Sequence, residues 1–422
     1  MGCRLIVKIK FIVHAGNSNS IFIYFMKANI LYVTYDGILE PLGQSQVLAY
    51  LKRLAIGRHI HLISFEKLND WNDLAERERI AQDLAEVGIR WHPLRYHRRP
   101  TAIATTWDIA CGIALGMCLV LRHRLDIVHA RSYVPSVMAI ALKWLTGVKY
   151  VFDMRGFWAD ERVDGNLWPR TGRMYRVAKW FEKRFLLSAD HVVSLTHAAV
   201  KEMQQFPYLQ GQMPPFTVIP TCADLARFAP MQRVRPAGFV LGYVGSAGTW
   251  YEFDATVACF AELLRLKPDA HILIVNRNEH DYIRERLVAG GVPLAAVELR
   301  AASHSEVPLL LARMHASIFF IKPVFSKQAS APTKLAELLG CGIPCLANRG
   351  VGDMAEIIEG EEVGVAINNF SLIALRSGLI QLLELTNTQG IQQRCIAAAH
   401  KHFSLDEGVK RYSQVYSQLN QK

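Results

Sequence analysis

Lys322-Pro-Val-Phe-Ser-Lys-Gln-Ala-Ser-Ala-Pro-Thr-Lys-Leu-Ala-Glu-Leu-Leu-Gly-Cys-Gly-Ile-Pro344 is the most informative stretch of the chain. Proline is tolerated in a helix's first turn and glycine ends helices, so this spacing predicts a helix starting near Pro332 and stopping at Gly340/Gly342. Short apolar runs flank it, Ala316 to Ile321 before and Pro344 to Ala347 after. A helix between two such runs joins parallel strands, and its N-terminus then faces the crevice where open parallel sheets take ligands. Lys334 in the first turn opposes the helix dipole, a local cost that an anionic ligand such as a diphosphate offsets. Glu337 follows one turn later, within reach of a ribose or sugar diol. The plainer alternative is an i,i+3 surface pair between Lys334 and Glu337.

The same alternation extends in both directions, so the fold class is α/β. Upstream within this half, strands are expected at Phe239-Val-Leu-Gly-Tyr-Val-Gly245, His271 to Val275 and Val297 to Leu299. An earlier series comprises Ile30 to Thr34, His61 to Phe65, Ile127 to His129, Tyr150 to Asp153 and His191 to Ser194. A helix beginning near Ser45 should bury Val47, Leu48, Leu51, Leu54 and Ala55. Between the two series, Thr217-Val-Ile-Pro-Thr-Cys-Ala-Asp224 and the Pro- and Arg-bearing stretch to Gly238 read as a change of register and a linker. The expected organisation is an extension at 1–25, a Rossmann-like domain at 26–228, a linker at 229–238, a second Rossmann-like domain at 239–400, and a C-terminal helix at 401–422 that returns to the first domain.

A length of 422 residues matches two such domains, and 51% hydrophobic with 20% charged residues excludes a mainly disordered chain. The net charge of +11 favours an anionic partner without choosing among nucleotide, membrane surface and nucleic acid. Eight scattered cysteines with no C-x-x-C pair indicate neither a zinc site nor a disulfide framework, and point to reduced thiols in the cytoplasm. The segment Thr101 to Leu121 contains the apolar stretch Ile109 to Leu121 but is interrupted by Thr105, Thr106 and Asp108, which leaves it short of the roughly 18 to 20 residues a span needs, so a core or interfacial helix is expected. Arg98, Arg99, Arg122 and Arg124 at its ends suit an anionic lipid surface.

Two loops follow strands and carry glycines. Asp36-Gly-Ile-Leu-Glu-Pro-Leu-Gly-Gln-Ser-Gln46 opens a helix and lets backbone N–H groups approach a phosphate or sugar hydroxyl, or is a tight turn only. Gly242-Tyr-Val-Gly-Ser-Ala-Gly-Thr-Trp-Tyr251 has G-x-x-G-x-x-G spacing, and with no Walker A sequence present neither a dinucleotide nor an ATP fingerprint is found. Trp250 and Tyr251 pack on a sugar or cap the core. Beyond the strand ends lie His129, Arg131, Asp153, Arg155 and Glu161, positions that face an inter-domain cleft.

Gly43-Gln-Ser-Gln-Val47, Asp126-Ile-Val-His-Ala-Arg-Ser-Tyr133, Phe152-Asp-Met-Arg-Gly-Phe-Trp-Ala-Asp-Glu161, Ala189-Asp-His-Val-Val193, Val218-Ile-Pro-Thr221, the Gly-Ser-x-Gly-Thr-Trp-Tyr loop and Pro332-Thr-Lys-x-x-Glu337 through Pro344 together form a recognisable set. On these motifs the chain resembles the GT-B glycosyltransferases, in particular the retaining family 4, from Met26 to the C-terminus. The resemblance implies two Rossmann-like domains facing each other across a cleft, and a nucleotide diphosphate sugar as donor. It also implies a carbohydrate or lipid-linked acceptor and no nucleic acid partner. Cell-surface polysaccharide or lipopolysaccharide synthesis at the cytoplasmic face of a membrane is the implied setting. In the family's E-x7-E signature Glu337 matches the second glutamate, while Ala329 replaces the first, so the first glutamate's contact with the sugar does not transfer.

The family uses no tightly bound metal or other cofactor, and this sequence has no Asp-x-Asp pair. Positive groups must then stabilise the leaving diphosphate. The expected donor-binding set is Gly43, Gly245, Ser246, Arg277, Lys327, Thr333, Lys334 and Glu337. The expected catalytic set is His129, Arg131, Asp153, Arg155 and Glu161, in which the arginines meet phosphates or an acidic acceptor and the carboxylates meet acceptor hydroxyls or hold those arginines. Two rivals share the fold or the ligand: a GT-B sugar-nucleotide epimerase and a non-catalytic two-lobed binding protein.

Overall fold

The structure, a computed structural model, describes residues 28–231, 238–303 and 305–421. The expected extension at 1–25 and most of the expected linker lie outside the described residues.

The N-terminal lobe holds a seven-stranded parallel sheet in the order β3-β2-β1-β4-β5-β6-β7. Its strands are β1 (Ile30–Thr34), β2 (Ile60–Glu66), β3 (Ile89–Arg95), β4 (Ile127–Arg131), β5 (Lys149–Met154), β6 (His191–Ser194) and β7 (Phe216–Val218). The inner strands are buried along their length and mostly apolar because helices cover both faces, with polar residues concentrated toward the strand ends of β4 and β5. A first helical stretch passes from α1 (Pro41–Gly43) through a π segment (Gln44–Leu48) into α2 (Ala49–Leu54), with α3 (Leu68–Asn72) and α4 (Leu74–Glu86) following β2. The rest of this lobe's helices are α5 (Thr101–His123), α6 (Tyr133–Thr146), α7 (Trp158–Asp164), α8 (Arg173–Ser188) and α9 (His197–Gln204).

The C-terminal lobe has a six-stranded parallel sheet in the order β10-β9-β8-β11-β12-β13. It comprises β8 (Val240–Val244), β9 (His271–Val275), β10 (Val297–Arg300), β11 (Ala316–Ile318), β12 (Cys345–Asn348) and β13 (Gly364–Ile367). Around it lie α10 (Phe253–Leu266), α11 (His280–Ala289), α12 (Val307–Leu311), α13 (Thr333–Gly340), α14 (Met354–Gly360), α15 (Leu372–Thr386) and α16 (Ile391–Phe403). The last helix, α17 (Leu405–Gln421), buries Tyr412, Val415, Tyr416 and Leu419 in the N-terminal core beside Tyr50 and Leu54. The chain thus changes lobe at Ser404. It first changes lobe before residue 228, because Phe228 packs into the C-terminal core.

Three expectations are corrected. The first helix starts at Pro41, not near Ser45, so Gly43 is a helical residue rather than a loop residue. A Cβ on Gly43 would lie 2.1 Å from the Gly37 carbonyl oxygen, so this glycine allows close packing of helix on loop. The apolar segment at 109–121 belongs to a 23-residue helix, α5, with a mean hydropathy of 1.7 over its most apolar window, which is long and apolar enough to cross a membrane. The interrupting Asp108 is accommodated on the buried face, accepting from the Tyr35 hydroxyl at 2.8 Å and the His97 amide at 3.1 Å. On that face Gly112 and Gly116 meet Met138 and Leu142, so α5 lies flat against α6 and the sheet.

Candidate active site

All strands of each sheet run parallel, so each has one carboxyl edge, and strand order reverses between β1 and β4 in one sheet and between β8 and β11 in the other. The two edges face each other. Ser326 donates its amide to Asp164 at 2.9 Å, the Thr196 hydroxyl donates to the Gln328 carbonyl at 2.6 Å, and Asp353 accepts from the His197 and Ala198 amides at 2.6 and 2.8 Å. Every partner lies just past a strand's carboxyl end, or in the helix that follows it. Phe157 stacks on Phe325 across the same seam, with centroids 5.1 Å apart.

On the N-terminal side, strand register sets Thr34, Arg131 and Asp153 abreast. Asp153 lies 3.8 Å from an Arg131 nitrogen and 3.7 Å from an Arg155 nitrogen. Burial pushes its carboxyl pKa up, but Arg155, His129 and Arg131 outweigh that and hold it well below the usual carboxylate range. Ionised Asp153 can only accept, so the His129 Nε2, 3.4 Å away, carries the proton and Nδ1 accepts from the Tyr416 hydroxyl at 2.6 Å. The Tyr412 hydroxyl donates to the same carboxylate at 3.0 Å. Burial lowers the His129 pKa despite Asp153, so the ring is neutral. With 1% exposure and both nitrogens engaged, His129 is held behind the crevice wall, where it positions Asp153 rather than meeting an acceptor. Arg155 donates to the Thr221 hydroxyl at 3.4 Å, and Arg131 Nε is 3.8 Å from Asp36 at the lip.

On the C-terminal side, Lys334 sits in the first turn of α13 with its side chain directed back across the strand ends. Its Nζ is buried without a hydrogen-bond partner. It lies 3.9 Å from the centroid of the Tyr251 ring, and a Cβ on Gly245 would come within 2.9 Å of it. Gly245 has φ +105°, a conformation that favours glycine, and this lets the loop after β8 pass close to the amine. Burial brings the Lys334 pKa down to about 7, with Glu337 and Glu279 opposing the fall. Glu337 is pushed up to about 7 by burial, against the pull of Lys334. No ion pair joins these two, so the surface-pair alternative does not hold.

The structure separates the remaining candidates. Lys327, expected at the donor, and Glu161, expected at the acceptor, bond each other at 2.7 Å across the seam, and Lys327 also lies 3.8 Å from the Trp250 ring centroid. Both are therefore interlobe ties in this arrangement. Ser246 and Arg277 are exposed at the lip, and Thr333 opens α13. The glycine loop offers its Ala247 and Gly248 amides not outward but to Glu279, at 2.8 and 2.9 Å, with Asn276 Nδ2 donating to the same carboxylate at 2.8 Å. An internal anion thus occupies these two amides, so the loop does not present them to a ligand. Glu279, Asp353 and Tyr416 escaped sequence reasoning, since no local spacing marks them. Among the described residues no cluster of three or more His, Cys, Asp or Glu could hold a metal ion.

Residues 48–222 match the family model described as a glycosyl transferase 4-like domain. No curated protein matches the chain. Among solved structures, a glycosyltransferase from Rickettsia africae is similar with a TM-score of 0.70 at 14% identity, covering 94% of this chain and 99% of that one. HepE from Anabaena, in complex with UDP and glucose, has a TM-score of 0.62 at 16% identity, covering 92% and 99%. WaaG, a glycosyltransferase involved in lipopolysaccharide biosynthesis, has a TM-score of 0.61 at 14% identity, covering 92% and 99%. The fold is GT-B, two Rossmann-like lobes whose strand ends meet at a cleft.

Proposed function

We propose that this GT-B chain, with its glycosyl transferase 4-like match over residues 48–222, is a glycosyltransferase. It moves a sugar from a nucleotide diphosphate sugar to a hydroxyl of a carbohydrate or lipid-linked acceptor, with retention of configuration, in cell-surface polysaccharide or lipopolysaccharide assembly in the cytoplasm. The observation that carries this reading is the Lys334 amine, buried without a hydrogen-bond partner at the start of α13 and at the β8/β11 switch point. A buried cationic group without hydrogen-bond acceptors is costly unless a ligand completes it, and a diphosphate supplies the missing acceptors. HepE's complexes with UDP and UDP-glucose lend support to a donor of this class.

In the reaction, the bond between the anomeric carbon and the diphosphate oxygen breaks, and the acceptor oxygen bonds that carbon on the same face. The acceptor's proton passes to the departing phosphate oxygen, so no protein nucleophile is needed. Lys334 and the N-terminal dipole of α13 stabilise the charge that develops on the diphosphate, without a metal. Arg131 and Arg155, anchored by Asp153, add positive potential from the opposite edge. Glu337 receives ribose or sugar hydroxyls. Interlobe contacts exclude water and favour transfer over hydrolysis.

A thermal-shift screen of nucleotide sugars identifies the donor. Lys334→Ala should then weaken nucleoside diphosphate binding by about 1.5 to 3 kcal/mol, the range for a charge-assisted hydrogen bond. Unchanged affinity in calorimetry refutes the assignment. An epimerase would convert the donor with no acceptor present, and a pure binder would release no nucleoside diphosphate with any acceptor.

A further inference from the structure

The helices α5, α6 and α8 lie side by side on one face of the N-terminal sheet, and their outward surface has an unusual composition. Trp107 is 60% exposed, Trp144 71% and Trp180 52%, one on each helix. Ile103, Leu121, Leu145, Met174 and Val177 are exposed around them. The exposed charges on these helices are all positive: Arg122 on α5, and Arg173, Arg176, Lys183 and Arg184 on α8. Their only two carboxylates, Asp108 and Glu182, are buried. The two remaining lysines are engaged, Lys143 with Asp190 at 2.8 Å and Lys179 with Asp160 at 2.9 Å.

We propose that this three-helix face docks on an anionic lipid bilayer. Tryptophan rings suit the headgroup level, and basic side chains between them complement lipid phosphates. Exposed leucine, isoleucine and methionine fit acyl chains but would gain nothing against a hydrated nucleic-acid backbone, so the bilayer is the better match. The surface extends what the charge around α5 alone indicated, because α8 supplies most of the cations. It lies on the outer face of the lobe, so docking leaves the crevice free. With one side of α5 packed on α6 and the sheet, the protein lies on the membrane rather than spanning it.

The test is sedimentation of the full chain with vesicles of phosphatidylcholine, with and without phosphatidylglycerol, at low and high salt. Binding should require phosphatidylglycerol and fall steeply with salt. Two variants, Trp107→Ala/Trp144→Ala/Trp180→Ala and Arg173→Gln/Arg176→Gln/Lys183→Gln/Arg184→Gln, should each lower the partition coefficient by roughly tenfold or more. Residues 1–25 are common to all these proteins, so any contribution from them cancels. Partitioning equal to the parent in either variant overturns the proposal, as does binding that survives high salt unchanged. Should a variant misfold, quenching of the parent's tryptophan fluorescence by brominated phosphatidylglycerol decides: quenching supports the face, and its absence refutes it. Nucleoside diphosphate affinity in solution is read separately, so failure here leaves the transferase reading untouched.

Discussion

Lys334 concentrates the chemistry of the crevice in one titration. Its pKa of about 7 comes from burial, only partly opposed by Glu337 and Glu279. A bound diphosphate restores the charge and raises that pKa. Below about 7 the free amine is already protonated, and binding needs no proton. Above it, each ligand bound takes up a proton, so nucleoside diphosphate affinity should fall by up to about tenfold per pH unit until the pKa of the complex is reached. The ligand's own phosphate titrates at about 6 and is ionised throughout this window. Calorimetry in two buffers of different ionisation heat measures the uptake, which Lys334→Ala should abolish. Glu337→Gln, which removes the carboxylate supporting the ammonium, should shift the onset to lower pH. Since leaving-group charge is assigned to these cations, turnover should persist in excess EDTA; activity lost on chelation and restored by magnesium or manganese refutes that assignment. The placement of Lys334 and Glu337 on α13 and of Gly245 in the loop after β8 was legible because helix-start and glycine rules are local. Lys327 and Glu161 were each read as facing a ligand and instead face one another, a contact made across the lobes that no local spacing encodes.

Elements differ in how plainly they announce themselves, and burial on both faces is the reason. Inner strands such as β1 and β8 are nearly unbroken apolar runs, whereas the edge strand β3 carries Arg90, His92 and Pro93. Edge positions tolerate proline and polar residues, so β3 leaves no continuous apolar signature in the sequence. The amphipathic period of α17 was visible, but not its partner: Tyr416 meets His129 across 287 residues of chain. This helix should therefore contribute to N-terminal stability through specific hydroxyls as well as apolar area. Tyr416→Phe leaves the buried His129 Nδ1 without a donor and should cost about 1 to 3 kcal/mol. Tyr412→Phe removes one of the Asp153 donors and should cost a similar amount, with the two effects non-additive because both act through the His129–Asp153 pair. Urea denaturation of the single and double variants measures both, and strict additivity rejects a shared network.

At the scale of the whole molecule, the lobes are joined by polar contacts that repeat one design, a group after a strand end in one lobe bonded to a group after a strand end in the other. Lys327 with Glu161 and Ser326 with Asp164 form one pair of ties, and Asp353 on the first amides of α9 forms another. Asp353 also places a carboxylate at a helix N-terminus, which adds about 0.3 to 1 kcal/mol to the joined state. Glu161 is partly open to water, so its salt bridge is screened and contributes at most about 1 kcal/mol. Contacts of this size can open and reform, which suits the proposed transfer, in which the crevice admits donor and acceptor and then excludes water. Asp353→Ala and Glu161→Gln should leave each lobe's fold intact, widen the particle in small-angle scattering, and raise hydrolysis of the donor relative to transfer, more in combination than singly. Lys334 belongs to one lobe, so nucleoside diphosphate affinity should change little in either variant. Unaltered partition between hydrolysis and transfer in the double variant, measured beside an increased radius of gyration, would separate closure from water exclusion and show that the crevice is kept dry by the ligands themselves.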